Sequence, residues 1–287
     1  MNFLDWRLRS TTVTNREHTL IVGVVNVTPD SFSDGGDFSE MDEAIAHGRL
    51  LAAQGADIVD VGGESTRPGA APVSADLESS RVVPVVRALA DEGIIVSVDT
   101  TKATVAAEAV AAGAEIVNDI SALSDPEMAT VVADSGAGIV LMHMQGTPRT
   151  MQIDPQYEDV VAEVGDWLSA MAESAELSGI APDRICLDPG IGFGKTITHN
   201  LRLLGDLHAL TSVGYPLLIG TSRKAFIGAI AGIPEARNRD VSTAATTALG
   251  VAAGVIGVRV HDVPGNRQSA RVVDAIVRSR ILDEVGG

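Results

Sequence analysis

Aromatic side chains are scarce in this chain: two Trp, two Tyr and five Phe among 287 residues, 3% in all. Hydrophobic residues still make up 45%, so the core must be built of Val, Ile, Leu and Ala. Such a composition suits parallel strands buried on both faces, which read as short apolar runs rather than alternating ones. Cysteine is scarcer still. Cys186 stands alone, which excludes an internal disulfide and fits a reducing compartment; in the run Ile185-Cys186-Leu187 its thiol reads as a buried, inert one. Positive charge is in deficit, with 21 Lys and Arg against 38 Asp and Glu and a net charge of −17. A broad nucleic-acid surface is therefore not expected, because phosphate backbones are held by clustered cations. No apolar stretch reaches the roughly 18 residues that cross a bilayer, and Met1–Arg16 carries early charges and no apolar signal core. A cytoplasmic protein without a membrane or nucleic-acid partner is expected.

What the chain does contain is a repeated alternation. Apolar runs at Leu20–Val25, Asp57–Val61, Ile94–Val98, Glu115–Val117, Gly138–Met142, Ile185–Leu187, Pro216–Ile219 and Val255–Val260 read as strands. Between them lie amphipathic, Ala-rich stretches that read as helices: Asp42–Gln54, Ala75–Asp91, Ala103–Ala111, Glu127–Asp134, Tyr157–Leu177, His199–Leu210, Val241–Ala253 and Arg267–Leu282. Ser74 is placed to cap one of them, and Gly55 and Gly113 to stop two others. Eight β-then-α units imply a parallel sheet with helices outside, either a doubly wound open sheet or a closed barrel. The strand ends favour the barrel. They carry, in order, Asn26, Gly62-Gly63-Glu64, Asp99, Asn118-Asp119, His143, Asp188, Ser222-Arg223-Lys224 and Arg259-Val260-His261. A barrel brings all eight to one rim, where active sites are built; an open sheet would leave some unused. The expectation is one α/β domain, a (β/α)8 TIM barrel over 19–287, preceded by an extension 1–18 with no assigned role.

Several rim segments carry chemistry. Asn26–Gly36 is a long Gly-, Pro- and Ser-rich loop with Phe32 at its middle, suited to a lid. In Gly62–Gly69, Arg67 offers a fork for a carboxylate or phosphate. Asp188–Thr196 imitates a P-loop, but the first glycine of that motif would fall on Pro189, and the glycine spacing also misses the dinucleotide fingerprint. Its glycines instead suit close approach of backbone to a flat ligand, with Asp188 as acceptor. Lys224, Arg259 and His261, with Arg67, can form a local positive site for a diphosphate leaving group. Of Arg223 and Lys224, one reads as a surface charge. Asp99, Asn118 and Asp188 suit a heterocycle with several N–H donors; a hydrolase with paired carboxylates would draw on similar groups. The absence of HExxH, CxxC and G-x-S-x-G leaves zinc hydrolysis and a serine nucleophile elbow without support.

Taken together, Asn26–Gly36, Gly62–Gly69, Ser97–Thr100, Asn118-Asp119, Asp188–Lys195, Ser222–Lys224 and Arg259–Asp262 resemble the signature segments of the dihydropteroate synthase family, in order, over about Leu20 to Val263. Val25 departs mildly, standing where many members have Met. The resemblance implies a barrel, dimeric through outer helices, that condenses 6-hydroxymethyl-7,8-dihydropterin pyrophosphate with p-aminobenzoate in folate biosynthesis. It implies a pterin pocket of Asp99, Asn118, Met142, Asp188 and Lys224, with Arg259 on the pterin face. It further implies pyrophosphate binding by Asn26, Arg67, Arg259 and His261, a Mg²⁺ ion at Asn26, and a p-aminobenzoate site of Phe32, Asp34, Thr66, Arg67, Pro68, Phe193 and Ser222. Catalytic weight would fall on Asp99, Asp188, Lys224, Arg259 and Asn26. The ordinary form of Glu64–Gly69 implies sulfonamide inhibition. A pterin-dependent methyltransferase and a non-catalytic pterin-binding paralogue are the alternatives; the former would not need Ser65-Thr66-Arg67-Pro68, and the latter should show decay in segments that are intact here.

Overall fold

The computed structural model describes residues 4–27, 37–65 and 71–285. Ten strands and ten α-helices run through them. A short hairpin comes first, β1 (Asp5–Arg7) and β2 (Thr12–Thr14). Then β3 (Leu20–Asn26), α1 (Asp37–Gln54), β4 (Ile58–Gly62), α2 (Ala75–Asp91), β5 (Val96–Asp99), α3 (Ala103–Ala111), β6 (Ile116–Asp119) and α4 (Met128–Ser135) alternate. The second half continues with β7 (Gly138–Met142), α5 (Val160–Leu177), β8 (Ile185–Asp188), α6 (Ile197–Gly205), α7 (Leu207–Thr211), β9 (Leu218–Ile219), α8 (Ala225–Ala231), α9 (Asp240–Ala253), β10 (Gly257–Val260) and α10 (Val263–Val285).

Strands β3 to β10 pair in parallel in the order β8-β7-β6-β5-β4-β3-β10-β9. A parallel bridge between Leu187 and Leu217 joins the two ends, so the sheet is a barrel. The expected TIM barrel is therefore present. Successive side chains on a strand point to opposite faces, and the two cores divide accordingly. Ile21, Val59, Val98, Val117, Ile139, Leu187 and Val258 face the helices. Leu20, Val22, Ile58, Ile116, Val140, Cys186 and Leu218 face inward and fill the lower barrel. Two residues further along, the inward positions become Asp60, Asn118, Met142, Asp188 and Gly220. The polar rim thus continues the apolar core upward on the same faces of the same strands.

The capping signals act as expected: the Ser74 hydroxyl accepts the Leu77 amide at 3.3 Å. Three features depart from the sequence expectation. The stretch read as a helix over His199–Leu210 breaks at Gly205 and Asp206 into α6 and α7. Helix α8 follows directly on Lys224. Segment 4–18 is ordered as the hairpin, which closes the barrel floor. Trp6, 1% exposed, packs with Leu8 into the inward-facing cluster, and its indole N–H donates to the Arg184 carbonyl at 2.8 Å. At the hairpin tip Ser10 donates twice to Glu115, at 2.7 and 2.6 Å. No helix among the described residues is long and apolar enough to cross a membrane.

Because Trp6 fills the floor, Trp6→Ala is expected to lower the unfolding free energy by about 3–5 kcal/mol, the scale of truncating a large core aromatic. Urea denaturation measures this, and a loss below about 1 kcal/mol would contradict the plugging role.

Candidate active site

The centre of the upper barrel is one arginine between two carboxylates. Arg259, inward on β10, donates through Nε to Asp60 Oδ2 at 2.6 Å and through a terminal nitrogen to Asp99 Oδ2 at 2.7 Å. The Asn118 amide donates to the same Asp60 oxygen at 3.2 Å. Asp60 is buried in the middle of β4. Sequence reading passes over it, yet a charge inside Ile58-Val59-Asp60-Val61 is the available signal, since a buried carboxylate requires a partner. Burial is the main influence on Asp99. It lifts the carboxyl from 3.8 to about 7, with Arg259 opposing and Asp60, Glu78 and Asp119 adding to the rise.

Asp188, at the end of β8, is buried and accepts the Gly190 amide at 2.7 Å. Desolvation raises its pKa, with Lys224 the first group that opposes the rise. Lys224 stands 4.4 Å above the Phe193 ring and donates to the Ile191 carbonyl. Burial lowers its pKa to about 8, against the pull of Asp188. Its neighbour takes the other expected role: Arg223 turns away to a two-bond pair with Asp240, at 2.7 and 2.8 Å. The Ser222 hydroxyl accepts the His261 amide at 3.1 Å and lies 2.9 Å from His261 Nδ1. One hydroxyl therefore ties the loop after β9 to the end of β10.

Register carries the rim onward: Asn26 pairs with Gly62, Gly62 with Asp99, and Asp99 with Asn118. Beside Asp99 the mouth opens into a cavity of about 320 Å³, walled by Ile120, Met142, Met144 and Trp167 and floored by Glu64 and Glu78. Those two glutamates share Lys102. Asp119 belongs to the loop rather than the mouth. It accepts from Ser121 and Leu123, at 2.6 to 2.8 Å, holding Ala122 and Leu123 at positive φ. Asn26, Asp99, Asn118, Met142, Asp188, Phe193, Ser222, Lys224, Arg259 and His261 thus occupy a single end of the barrel. Phe32, Asp34, Thr66, Arg67 and Pro68 lie outside the described residues.

A further contact joins two residues that the sequence places at a strand end and in the glycine segment but to which it gives no role. Lys195 closes the glycine segment and is 3% exposed; its Nζ lies 2.9 Å from Nδ1 of His143, at the end of β7. Burial, followed by the lysine charge, lowers the His143 pKa to about 3, and burial lowers that of Lys195 to about 7.

Arg259→Ala would strand the buried Asp60 and the partly buried Asp99, a change of about 3–5 kcal/mol in such settings. The sign of its pH dependence follows from Asp99. A carboxyl whose folded pKa exceeds its unfolded one binds its proton more tightly in the fold, so stability falls as pH rises from about 4 to 7. Without the opposing arginine that folded pKa climbs further. The variant is therefore expected to lose more stability at pH 8 than at pH 5 in chemical denaturation; equal losses at both would contradict the pairing.

Comparison with known proteins agrees with this geometry. The family model described as pterin binding enzyme matches residues 22–261. A dihydropteroate synthase of Synechocystis is 46% identical over 264 residues, covering 91% of each chain. The solved dihydropteroate synthase of Xanthomonas albilineans with 4-aminobenzoic acid superposes with a TM-score of 0.90 at 41% identity, over 96% of this chain and 98% of that one. That of Yersinia pestis in complex with a sulfonamide drug gives 0.90 at 40%, over 96% and 100%. The chain belongs to the pterin-binding enzymes, in the dihydropteroate synthase family.

Proposed function

We propose that the barrel joins 6-hydroxymethyl-7,8-dihydropterin pyrophosphate to p-aminobenzoate through a pterin cation. The observation that carries the reading is the juxtaposition at one mouth of two carboxylates, the partly buried Asp99 and the buried Asp188, with two cations, Arg259 and Lys224. The carboxylates and the Asn118 amide face a donor-rich ring, while the cations suit its anionic tail. In this route the bond between the methylene carbon and the diphosphate oxygen breaks first, and the electron pair leaves with the diphosphate. Asp99 and Asp188 stabilise the charge spread over the ring; Asn26, Arg259 and His261, with Arg67, hold the departing diphosphate. A bound cationic ring would draw Asp99 back to its ionised form, because its raised pKa reflects burial without enough positive charge. The lone pair of the neutral amine then forms the new C–N bond, and the amine nitrogen gives up one proton to solvent. No strong base is needed.

A Mg²⁺ ion would serve this site as a companion of the diphosphate. The described residues offer no cluster of three or more His, Cys, Asp or Glu that could hold a metal, and Asn26 contributes one neutral oxygen at the end of β3. Mg²⁺ is commonly held by one or two protein groups together with substrate phosphates and water. When bound, the ion would neutralise charge on the leaving group.

The lone buried thiol of Cys186 is compatible with the cytoplasm. Helices α9 and α10 expose Val241, Leu249, Val272 and Ile276, and this apolar face supports a homodimer. Sedimentation should give twice the chain mass, reduced to one chain by Val241→Asp with Ile276→Glu.

Pyrophosphate release, measured at fixed dihydropterin pyrophosphate and Mg²⁺ with and without p-aminobenzoate, tests the reaction directly; release indifferent to the amine would refute it. Asp99→Asn and Arg259→Ala are each expected to lower turnover by at least about a hundredfold, the scale of losing one preorganised electrostatic group. Sulfonamides should inhibit competitively with p-aminobenzoate.

A further inference from the structure

An ammonium that is fully buried without a carboxylate in hydrogen-bonding contact is costly, by several kcal/mol after relaxation. Lys195 is such a group. Three acceptors surround its Nζ: His143 Nδ1 at 2.9 Å, the Phe193 carbonyl at 3.0 Å and the His143 carbonyl at 3.5 Å. An ammonium has three N–H groups, so each acceptor can take one. His143 is neutral and can lend its Nδ1 lone pair, while its ring packs edge-on against Trp167 at 4.9 Å. Asp188 and Lys224 act on this amine only through space.

The lysine holds a loop with little latitude. Gly190 has φ +62°, and a Cβ there would lie 1.9 Å from the His143 carbonyl oxygen; at Gly194, φ +59°, a Cβ would lie 2.6 Å from that of Gln145. Both residues run against backbone of the segment after β7, in a conformation that only glycine adopts freely. The same segment grips the loop from outside. Gln152 donates to the Gly192 carbonyl and the Tyr157 hydroxyl to that of Gly194, each at 2.9 Å. What the loop presents to the mouth is Phe193, beneath the Lys224 ammonium.

We propose that Lys195 is a positioning residue: from within the fold it clamps the Phe193 carbonyl to His143, fixing the Phe193 ring under Lys224 and so setting affinity for the aromatic amine rather than for the pterin. The inference rests on the reaction under Proposed function and on the place beside the amine that the family resemblance implies for Phe193. A lysine that only supported the fold would lower the folded fraction and alter both substrates alike.

Lys195→Met keeps the length of the side chain and removes its donors. The KM for p-aminobenzoate should rise by about tenfold or more, the scale of losing a hydrogen bond to a charged group. Turnover and the KM for dihydropterin pyrophosphate should stay within about threefold. Lys195→Gln, which retains a donor for the Phe193 carbonyl, should recover part of the loss. Tyr157→Phe, which releases only the outer grip, should shift the same KM in the same direction. Equal rises in both KM values, or a fall in kcat alone, would overturn the proposal. Calorimetry on wild type and Lys195→Gln, with a sulfonamide and with a pterin, tests the clamp without turnover: selective weakening of the sulfonamide is expected, and unselective or absent weakening overturns the clamp. A wild-type chain that binds both ligands yet releases no pyrophosphate would instead refute the proposed reaction.

Discussion

The upper half of the barrel depends on one guanidinium. Asp60 and Asp99 are carried on neighbouring strands and both point inward, where carboxylates largely removed from water require a cationic partner. Arg259 comes from the last strand, far along the chain, and pairs with one oxygen of each, while Asp60 Oδ1 is left without a hydrogen bond among the described residues. The arginine charge offsets both carboxylates, and it draws Asn118 into the same network through Asp60. The rim is therefore already wired before any ligand arrives. Its residual imbalance is visible in Asp99, whose carboxyl holds its proton up to about pH 7.

A second organising element is the division of labour along each strand. The lower inward positions are apolar and close-packed, and the next inward positions on the same strands are polar. The side chains of the candidate site are consequently set on strands, with stems fixed by parallel pairing, rather than on the loops alone. The glycine segment after β8 is the exception that is made rigid by other means. It is gripped by the segment after β7 and by a buried lysine, so a loop comes to behave like part of the frame.

Much of this is legible in the chain itself. All eight barrel strands can be bounded to within about two residues, and several helices as closely, because buried parallel strands leave apolar runs; Gly138–Met142, Ala75–Asp91 and Ala103–Ala111 agree to the residue. Strands β5, β9 and β10 are each begun two residues early; at β9 Pro216 has no N–H to donate, and Leu217 forms only the isolated bridge to Leu187 before Leu218–Ile219 pair with β10. The floor hairpin escapes notice because three-residue strands show no periodicity, and Trp6 between Asp5 and Arg7 looks like surface. Helix α8 is hidden by its brevity and by Gly228. Asp60 is overlooked, and Lys195 is given no role of its own, for a common reason: each matters through what it holds, and partners distant in sequence leave no trace in spacing. The roles expected for Phe32, Asp34, Thr66, Arg67 and Pro68 rest on two loops outside the described residues.

The floor hairpin has a consequence for traffic. With Trp6 and Leu8 sealing the lower end, the barrel is a cul-de-sac, and everything that reaches Asp188 or Asn118 must pass the same doorway twice. A flat molecule lodged against those groups leaves last if anything stands in front of it. Arrival and departure must then queue, in an order written by depth.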